Sequence, residues 1–302
     1  MSWLDGKINN VLNREPGDTD AALAAMMAEV LAEYQARLAQ NALRVNDADG
    51  EGILYGLRDN TVRNPLTNVF ELTCNTLTVE RGREEAFSRA LFNQRQMQLG
   101  DSIVNFISYE APLLRKHEGR GGNICKLDLV GLGQGALWAI EYKQRHGPAT
   151  SARYGVLEAL AYGLLLARHI HDNPAAIGQQ VTHCITERGP YPGAAIAFDA
   201  ANTQVKFAVA APIEFFREDT RTARRREKTR QFTDAACRYA VQVSQALGVN
   251  LVFGGFLIIG DDNIEFASQA AGGDMVVRSL HPPIPQAPNF NNIGGVYNFL
   301  TQ

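Results

Sequence analysis

Three runs rich in β-branched and aromatic residues, Ile103–Leu114, Ile124–Leu132 and Leu137–Lys143, follow one another across two glycine-rich breaks, Gly119-Arg120-Gly121-Gly122 and Gly133-Gln134-Gly135. Such residues favour pleated, half-buried backbone, and short glycine-containing breaks between them reverse the chain. The spacing therefore predicts a three-stranded antiparallel meander. Side chains alternate between the faces of a strand, so Lys126, Asp128 and Val130 fall on one face of the second run and Leu127 and Leu129 on the other. In the third run Ala139, Glu141 and Lys143 share a face, opposite Trp138, Ile140 and Tyr142. If Gln134-Gly135 is the two-residue turn, counting back along both strands puts Asp128 directly across from Glu141. One face is then apolar and suited to a core, while the other gathers two carboxylates and two lysines.

The flanking pattern is helical. Ala86, Phe87, Ala90, Leu91, Gln94 and Met97 follow a helical period, with Glu84 and Glu85 in the first turn, and predict a helix over Arg83–Gln98. After the meander, Pro148 breaks the chain and Thr150 or Ser151 can cap a helix over Ala152–His171. Further on, strands are expected at Ala194–Phe198, Val205–Ala210 and Leu251–Ile259, with a long polar helix at Glu218–Leu247. This alternation predicts an α/β fold with a central mixed sheet flanked by helices. Before the core, Leu23, Met26, Met27, Val30, Leu31 and Leu38 mark a long amphipathic helix over Asp18–Arg44, and Val45–Leu77 reads as short strands or loops. The proline-rich stretch His281–Pro288 is expected to be an extended arm. The reading divides into an N-terminal helical extension and irregular segment (1–82), a core (83–171), and a C-terminal α/β continuation of the same domain (172–302).

Composition excludes several functional classes. With 45% hydrophobic and 20% charged residues the chain has the profile of a soluble globular protein. A net charge of -3 excludes a uniformly basic coat, so any nucleic acid must be held by a local cationic patch. Cys74, Cys125, Cys184 and Cys237 form no CxxC pair and read as reduced core thiols, and His169 and His171 lack the spacing of a zinc site. Gly131-Leu132-Gly133-Gln134-Gly135 joins two strands, which makes it a turn and not a phosphate-binding loop. The first ten residues carry no apolar run, and no stretch is long and apolar enough to span a bilayer, so a cytoplasmic protein with no membrane partner is expected. The C-terminal arm reads as a surface tail, with docking on a second subunit, and hence a homo-oligomer, left open.

Two carboxylates and a lysine on adjacent strands are costly to bury without compensation. A hard divalent cation, Mg²⁺ or Mn²⁺, resolves this, because such ions take one or two carboxylates and keep waters that a phosphate can replace. Asp128 and Glu141 are the expected ligands, with the backbone carbonyl of Tyr142 as a further one, and Lys143 the cation that orients a nucleophile or stabilises an anionic transition state. The competing reading is a solvated sheet face with cross-strand ion pairs.

Asp128 followed by Glu141-Tyr142-Lys143, in the order helix, three-stranded meander, crossover helix, resembles the PD-(D/E)xK nuclease superfamily over roughly Arg83–His171. Leu127 stands where the family has proline. The resemblance implies a restriction endonuclease-like core and a metal-dependent phosphodiester hydrolase, acting on DNA in preference to RNA. It also implies a glutamate from the first core helix at the metal, a place that Glu85 or Glu84 takes, with Glu80 and Glu110 as substitutes. RecB-type members carry a QxxxY motif on the helix after the ExK strand; Glu158-Ala-Leu-Ala-Tyr162 has that spacing with glutamate for glutamine. Tyr154, Glu158 and Tyr162 share a helical face and are expected to border the metal. Separately, Arg217, Arg221, Arg224, Arg225 and Lys228 line one side of the long polar helix and are candidates to track a phosphate backbone, or else a solvated face offset by Glu218, Asp219 and Glu227. Two other functions stay open: a nuclease-like fold that only binds nucleic acid or assembles with protein, and a metal hydrolase for small molecules.

Overall fold

The computed structural model describes residues 3–14, 18–39, 53–54, 61–63, 70–74, 88, 91–92, 95–99, 102–114, 124–133, 135–144, 151–187, 198–200, 202–212, 215–216, 221–259, 263–269 and 275–281. In chain order its elements are α1 (Trp3–Leu12), α2 (Thr19–Ala39), β1 (Thr61–Arg63), β2 (Phe70–Cys74), β3 (Gln96–Leu99), β4 (Ser102–Leu114), β5 (Ile124–Gly133) and β6 (Ala136–Tyr142). They continue with α3 (Ala152–Asp172), α4 (Pro174–Glu187), β7 (Gln204–Pro212), α5 (Ala223–Leu247), β8 (Leu251–Ile259), β9 (Asn263–Gln269) and β10 (Met275–His281).

A six-stranded mixed sheet in the order β3-β4-β5-β6-β7-β8 organises the molecule. The meander β4-β5-β6 is antiparallel, and β7 and β8 then add in parallel, each reached by a helical crossover. The β5–β6 register is the one the turn dictates: Gly133 pairs with Ala136 and Leu129 with Ile140, with Gly135 at φ 66° in the left-handed region that glycine enters without steric cost. Ser151 caps α3, accepting the Tyr154 N–H at 3.2 Å. This helix packs on the sheet beside α5, with α1 and α2 joining the same buried apolar cluster. The opposite sheet face buries Leu129, Trp138, Ile140 and Tyr142 with Leu91, Phe92 and Met97.

Two glycines set how closely α3 approaches. A Cβ on Gly155 would lie 2.9 Å from Val209 Cγ1, and one on Gly163 would lie 2.8 Å from Phe207 Cβ. Both contacts are with β7, so the helix sits lower on the sheet than side chains at these positions would permit.

Several sequence expectations need correction. The C-terminal part of the helix expected over Arg83–Gln98 is strand β3. Ser88, Leu91 and Phe92 are helical, but Arg95 takes φ 71°, donates its N–H to the Phe92 carbonyl and accepts the Phe106 N–H. The turn closes there, and Met97 is buried as a strand residue. The strict alternation assumed for Lys126–Val130 also fails. Leu127 packs in the same cluster as Val130, and Leu129 in the other. The β4–β5 register shifts between Phe106 and Ser108, and further along, between the in-register pairs Tyr109↔Leu129 and Ala111↔Leu127, Glu110 takes φ 46°. Asp128 lies between Leu127 and Leu129, opposite that residue.

Helices α1 and α4 and strands β9 and β10 were not anticipated. β10 lies between β2 and β9 in a separate four-stranded sheet, β1-β2-β10-β9. The expected helix Asp18–Arg44 is described as far as Ala39, and the expected helix Glu218–Leu247 from its Thr222 cap onward. The expected strand at Ala194–Phe198 lies almost wholly outside the described residues, as does the proline-rich arm beyond His281. Cys125 and Cys184 are buried, the Cys184 thiol donating to the Leu54 carbonyl at 3.5 Å. Among the described residues, no helix is long and apolar enough to cross a membrane.

Candidate active site

The site forms where β5 and β6 run out of ladder pairs beneath the first turns of α3. After Leu129↔Ile140 the backbone pairing stops, and Asp128 Oδ2 takes the N–H of Tyr142 at 2.9 Å. The register carries Asp128 to the position facing Glu141. Asp128 is half-buried, whereas Glu141 and Lys143 are 4% and 5% exposed. The polar face is roofed by α3, because Gly155 lets that helix settle on Val209, with Lys143 Cγ 3.5 Å from where a Cβ on Gly155 would lie.

Lys143 is the hub. Its ammonium donates to Glu141 Oε1 at 2.8 Å and lies 2.8 Å from Glu158 Oε2, the second contact an ion pair without hydrogen-bond alignment. Glu158 stands one turn into α3 from Tyr154 and one turn before Tyr162, whose hydroxyl donates to Glu158 Oε1 at 3.1 Å. Tyr154 places its ring 6.0 Å from the Lys143 ammonium and donates its hydroxyl to Asp5 Oδ1 at 2.6 Å. Of the face formed by Tyr154, Glu158 and Tyr162, the first two lie against Lys143, and Tyr162 reaches it only through Glu158.

Electrostatics sharpen the picture. Burial pushes the Glu141 carboxyl well above the usual carboxylate range, the neighbouring Asp128 and Glu158 add to this, and Lys143 opposes it. Burial, then the charge on Glu158, raises the Tyr162 phenol as well, which keeps it a proton donor. Glu141 Oε2 is buried and has no hydrogen-bond partner. An orphaned carboxylate oxygen beside a second carboxylate is what a cation would satisfy, so the residues present fit a divalent ion.

Other expected members lie elsewhere. Lys126 is exposed and pairs with Glu110 at 3.1 Å, outside the site, which removes both from the polar cluster. Tyr142 keeps its backbone at the end of β6, between Glu141 and Lys143, with its side chain buried on the opposite face. Glu80, Glu84 and Glu85 lie outside the described residues, as does Arg217. Among the described residues no group of three or more His, Cys, Asp or Glu is arranged to hold a metal, so an ion on Asp128 and Glu141 would draw on backbone or water oxygens. Arg221, Arg224 and Arg225 are exposed and Lys228 half-buried at the start of α5. A cavity of about 390 Å³ lined by His171, Val205 and Asn250, among others, opens at the N-terminal ends of β7 and β8, away from these groups. Asp5 is the one member of the network that the sequence reading did not anticipate.

Compared with family models, with curated proteins and with solved structures, the chain matches none.

Proposed function

We propose that this chain is a divalent-metal-dependent nuclease that hydrolyses phosphodiester bonds, DNA before RNA, on a restriction endonuclease-like core. The observation that carries the reading is the buried, unpartnered Glu141 Oε2 beside Asp128, with the Lys143 ammonium fixed on the other oxygen of the same carboxylate. Asp128 and Glu141 would hold Mg²⁺ or Mn²⁺, with the Tyr142 backbone carbonyl as the nearest further oxygen along the strand. When bound, such an ion neutralises charge on phosphate oxygens and acidifies a water. Lys143 supplies a fixed positive charge for the scissile phosphate or the attacking water. Glu158 holds that ammonium from α3, and Tyr162 holds Glu158. The basic turns at the start of α5 suit a phosphate backbone. Both α3 and α5 follow the C-terminal end of a strand, and those strands, β6 and β7, are parallel neighbours.

The test is cleavage of single-stranded, double-stranded and branched DNA, and of RNA, with Mg²⁺ or Mn²⁺. Cleavage is expected to vanish in EDTA and in Asp128→Ala and Lys143→Ala. Intact substrates under all these conditions overturn the proposal. One observation favours a second reading: Lys143 is already enclosed by two glutamates, a closed ion-pair cluster of the kind a purely structural core could retain. On that reading the chain is a nucleic-acid-binding or assembly module, and DNA binding survives Asp128→Ala without any cleavage by the wild type.

A further inference from the structure

The Lys143 ammonium meets carboxylates on two sides, Glu141 from its own strand and Glu158 from α3, both at 2.8 Å. Two anions fix two sides of the ammonium and leave its other sides to the groups around it. A third side is closed by the Tyr154 ring, whose centroid lies 6.0 Å from Nζ, at the outer limit of a cation–π contact. Tyr154 is itself buried, and its hydroxyl bonds to a group outside α3. Its hydroxyl donates at 2.6 Å to Asp5, a charge-assisted bond to a residue of the N-terminal helix. That helix is well anchored: Leu4, Ile8 and Val11 are buried in the main core, and Lys7 pairs with Glu29 of α2.

We propose that Tyr154 is a positioning residue for the Lys143 ammonium and that Asp5 locks it, so that α1 is a working part of the site. The proposal rests on the nuclease reading of Lys143. The hydroxyl bond selects the ring orientation, the ring limits the ammonium, and the ammonium keeps its place between Glu141 and Glu158 while a phosphate approaches. Burial first, then the charges of Glu158 and Asp5, hold the phenol protonated, so it stays a donor. Displacing a catalytic cation by about an ångström can cost as much as roughly a hundredfold in rate, which gives the lock its purpose.

The test uses the full chain with ¹³Cε-labelled lysine and the variants Tyr154→Leu, Tyr154→Phe and Asp5→Asn. In the wild type the Lys143 ε-methylene protons are expected to be inequivalent and shifted by the ring. They are expected to collapse toward those of a mobile lysine in Tyr154→Leu and to stay resolved but displaced in Tyr154→Phe and Asp5→Asn. In cleavage, Tyr154→Leu is expected to lower kcat by about tenfold or more with KM unchanged. Tyr154→Phe and the Tyr154→Phe/Asp5→Asn double variant are expected to lose the same few-fold, and Asp5→Asn, which keeps an acceptor but not the charge, no more than that, since all three act on one bond. Should Tyr154→Leu fail to fold, the Phe and Asn variants carry the test through the displaced resonances and their non-additive kcat. Unchanged Lys143 resonances in the variants that fold, with only a lowered Tm, would show that Tyr154 and Asp5 merely hold the fold and would overturn the proposal. A wild type that cuts nothing, with the resonance pattern as expected, would instead sink the nuclease reading and leave the positioning contact intact.

Discussion

Asp128 accepts the backbone N–H of Tyr142 at 2.9 Å, at the point where the β5–β6 ladder ends. One carboxylate oxygen thereby fixes the backbone between Glu141 and Lys143. The residue proposed to bind metal also sets the geometry of the two residues it works with, so structural and chemical roles have to be separated by the choice of substitution.

Asp128→Asn preserves a side-chain acceptor for the Tyr142 N–H and removes the charge. It is expected to unfold within about 1 kcal/mol of the wild type and to lose cleavage by about a hundredfold or more. Asp128→Ala leaves the N–H without its acceptor and is expected to cost about 1–3 kcal/mol besides. Urea denaturation alongside cleavage with Mn²⁺ separates the two, and an Asn variant that cuts at the wild-type rate would remove Asp128 from the ligand set.

Replacing a mid-helix glycine by alanine normally stabilises by about 1 kcal/mol. At Gly155 and Gly163 the opposite sign is expected, a loss of about 1–3 kcal/mol, because the new methyl would meet Val209 Cγ1 at 2.9 Å or Phe207 Cβ at 2.8 Å. The two should part in function. Gly155 lies over Lys143, so Gly155→Ala is expected to lower kcat as α3 lifts Glu158 away, while Gly163→Ala lowers stability alone. Equal kcat values for both variants would count against the dependence of Lys143 on the height of α3.

Much of this arrangement was legible because it depends on local chemistry. The turn at Gly135 fixes the register, and Asp128 and Glu141 are the next residues beyond its last pair, Leu129↔Ile140. The i, i+4 spacing of Tyr154, Glu158 and Tyr162 gives one face of α3, and Ser151 marks where that helix begins. What could not be read was long-range. Periodicity shows that Glu141 and Lys143 share a face, but their burial depends on how closely α3 settles, which the glycines decide only once β7 is beneath them. The left-handed backbone at Arg95 ends a helix and that at Glu110 falls within a strand, and neither residue announces it. Asp5 reaches Tyr154 across 149 positions of the chain, a contact with no local signature. Helix α4 was legible in principle, since Ile177, Val181 and Cys184 recur at helical spacing after Pro174, a residue suited to a helix's first position.

Glu141 makes stability fall as pH rises. Its carboxyl is held above the usual range by burial and by Asp128, so the folded state keeps a proton that the unfolded chain releases. Folding stability is therefore lost from the ordinary carboxylate pKa upward, toward the raised one. Glu141→Gln cannot ionise, and the difference in Tm between the variant and the metal-free wild type is expected to shift in favour of glutamine with rising pH. A difference independent of pH would contradict the shift.

His169 acts in the other direction. It is fully buried on α3, its Nε2 bonded to the Leu113 carbonyl at 2.8 Å and its Nδ1 without a partner, and burial lowers its pKa from 6.5 to about 4. The unfolded chain therefore takes up a proton first, and stability is lost as pH falls through 6.5 toward 4, by about 3 kcal/mol in all. His169→Gln keeps a donor for Leu113 without the titration. It is expected to flatten that part of the stability profile, measured by urea denaturation between pH 4 and 7.

The basic start of α5 makes its own prediction. Arg230 is occupied by Glu227 and Asp234, and Arg238 by Asp20. Arg221, Arg224 and Arg225 are exposed, with Lys228 half-buried, in the turns that open α5 after β7, the parallel neighbour of the strand that α3 follows. If these side chains track a phosphate backbone, each Arg221→Ala or Arg224→Ala change is expected to weaken DNA binding alike across sequences. Each should also reduce the slope of log affinity against log salt by about one. The comparison is Arg238→Ala, whose partner Asp20 already engages it and which should leave the slope unchanged. Equal slopes for all three variants would make the stripe a solvated face and move the nucleic-acid path elsewhere on the molecule.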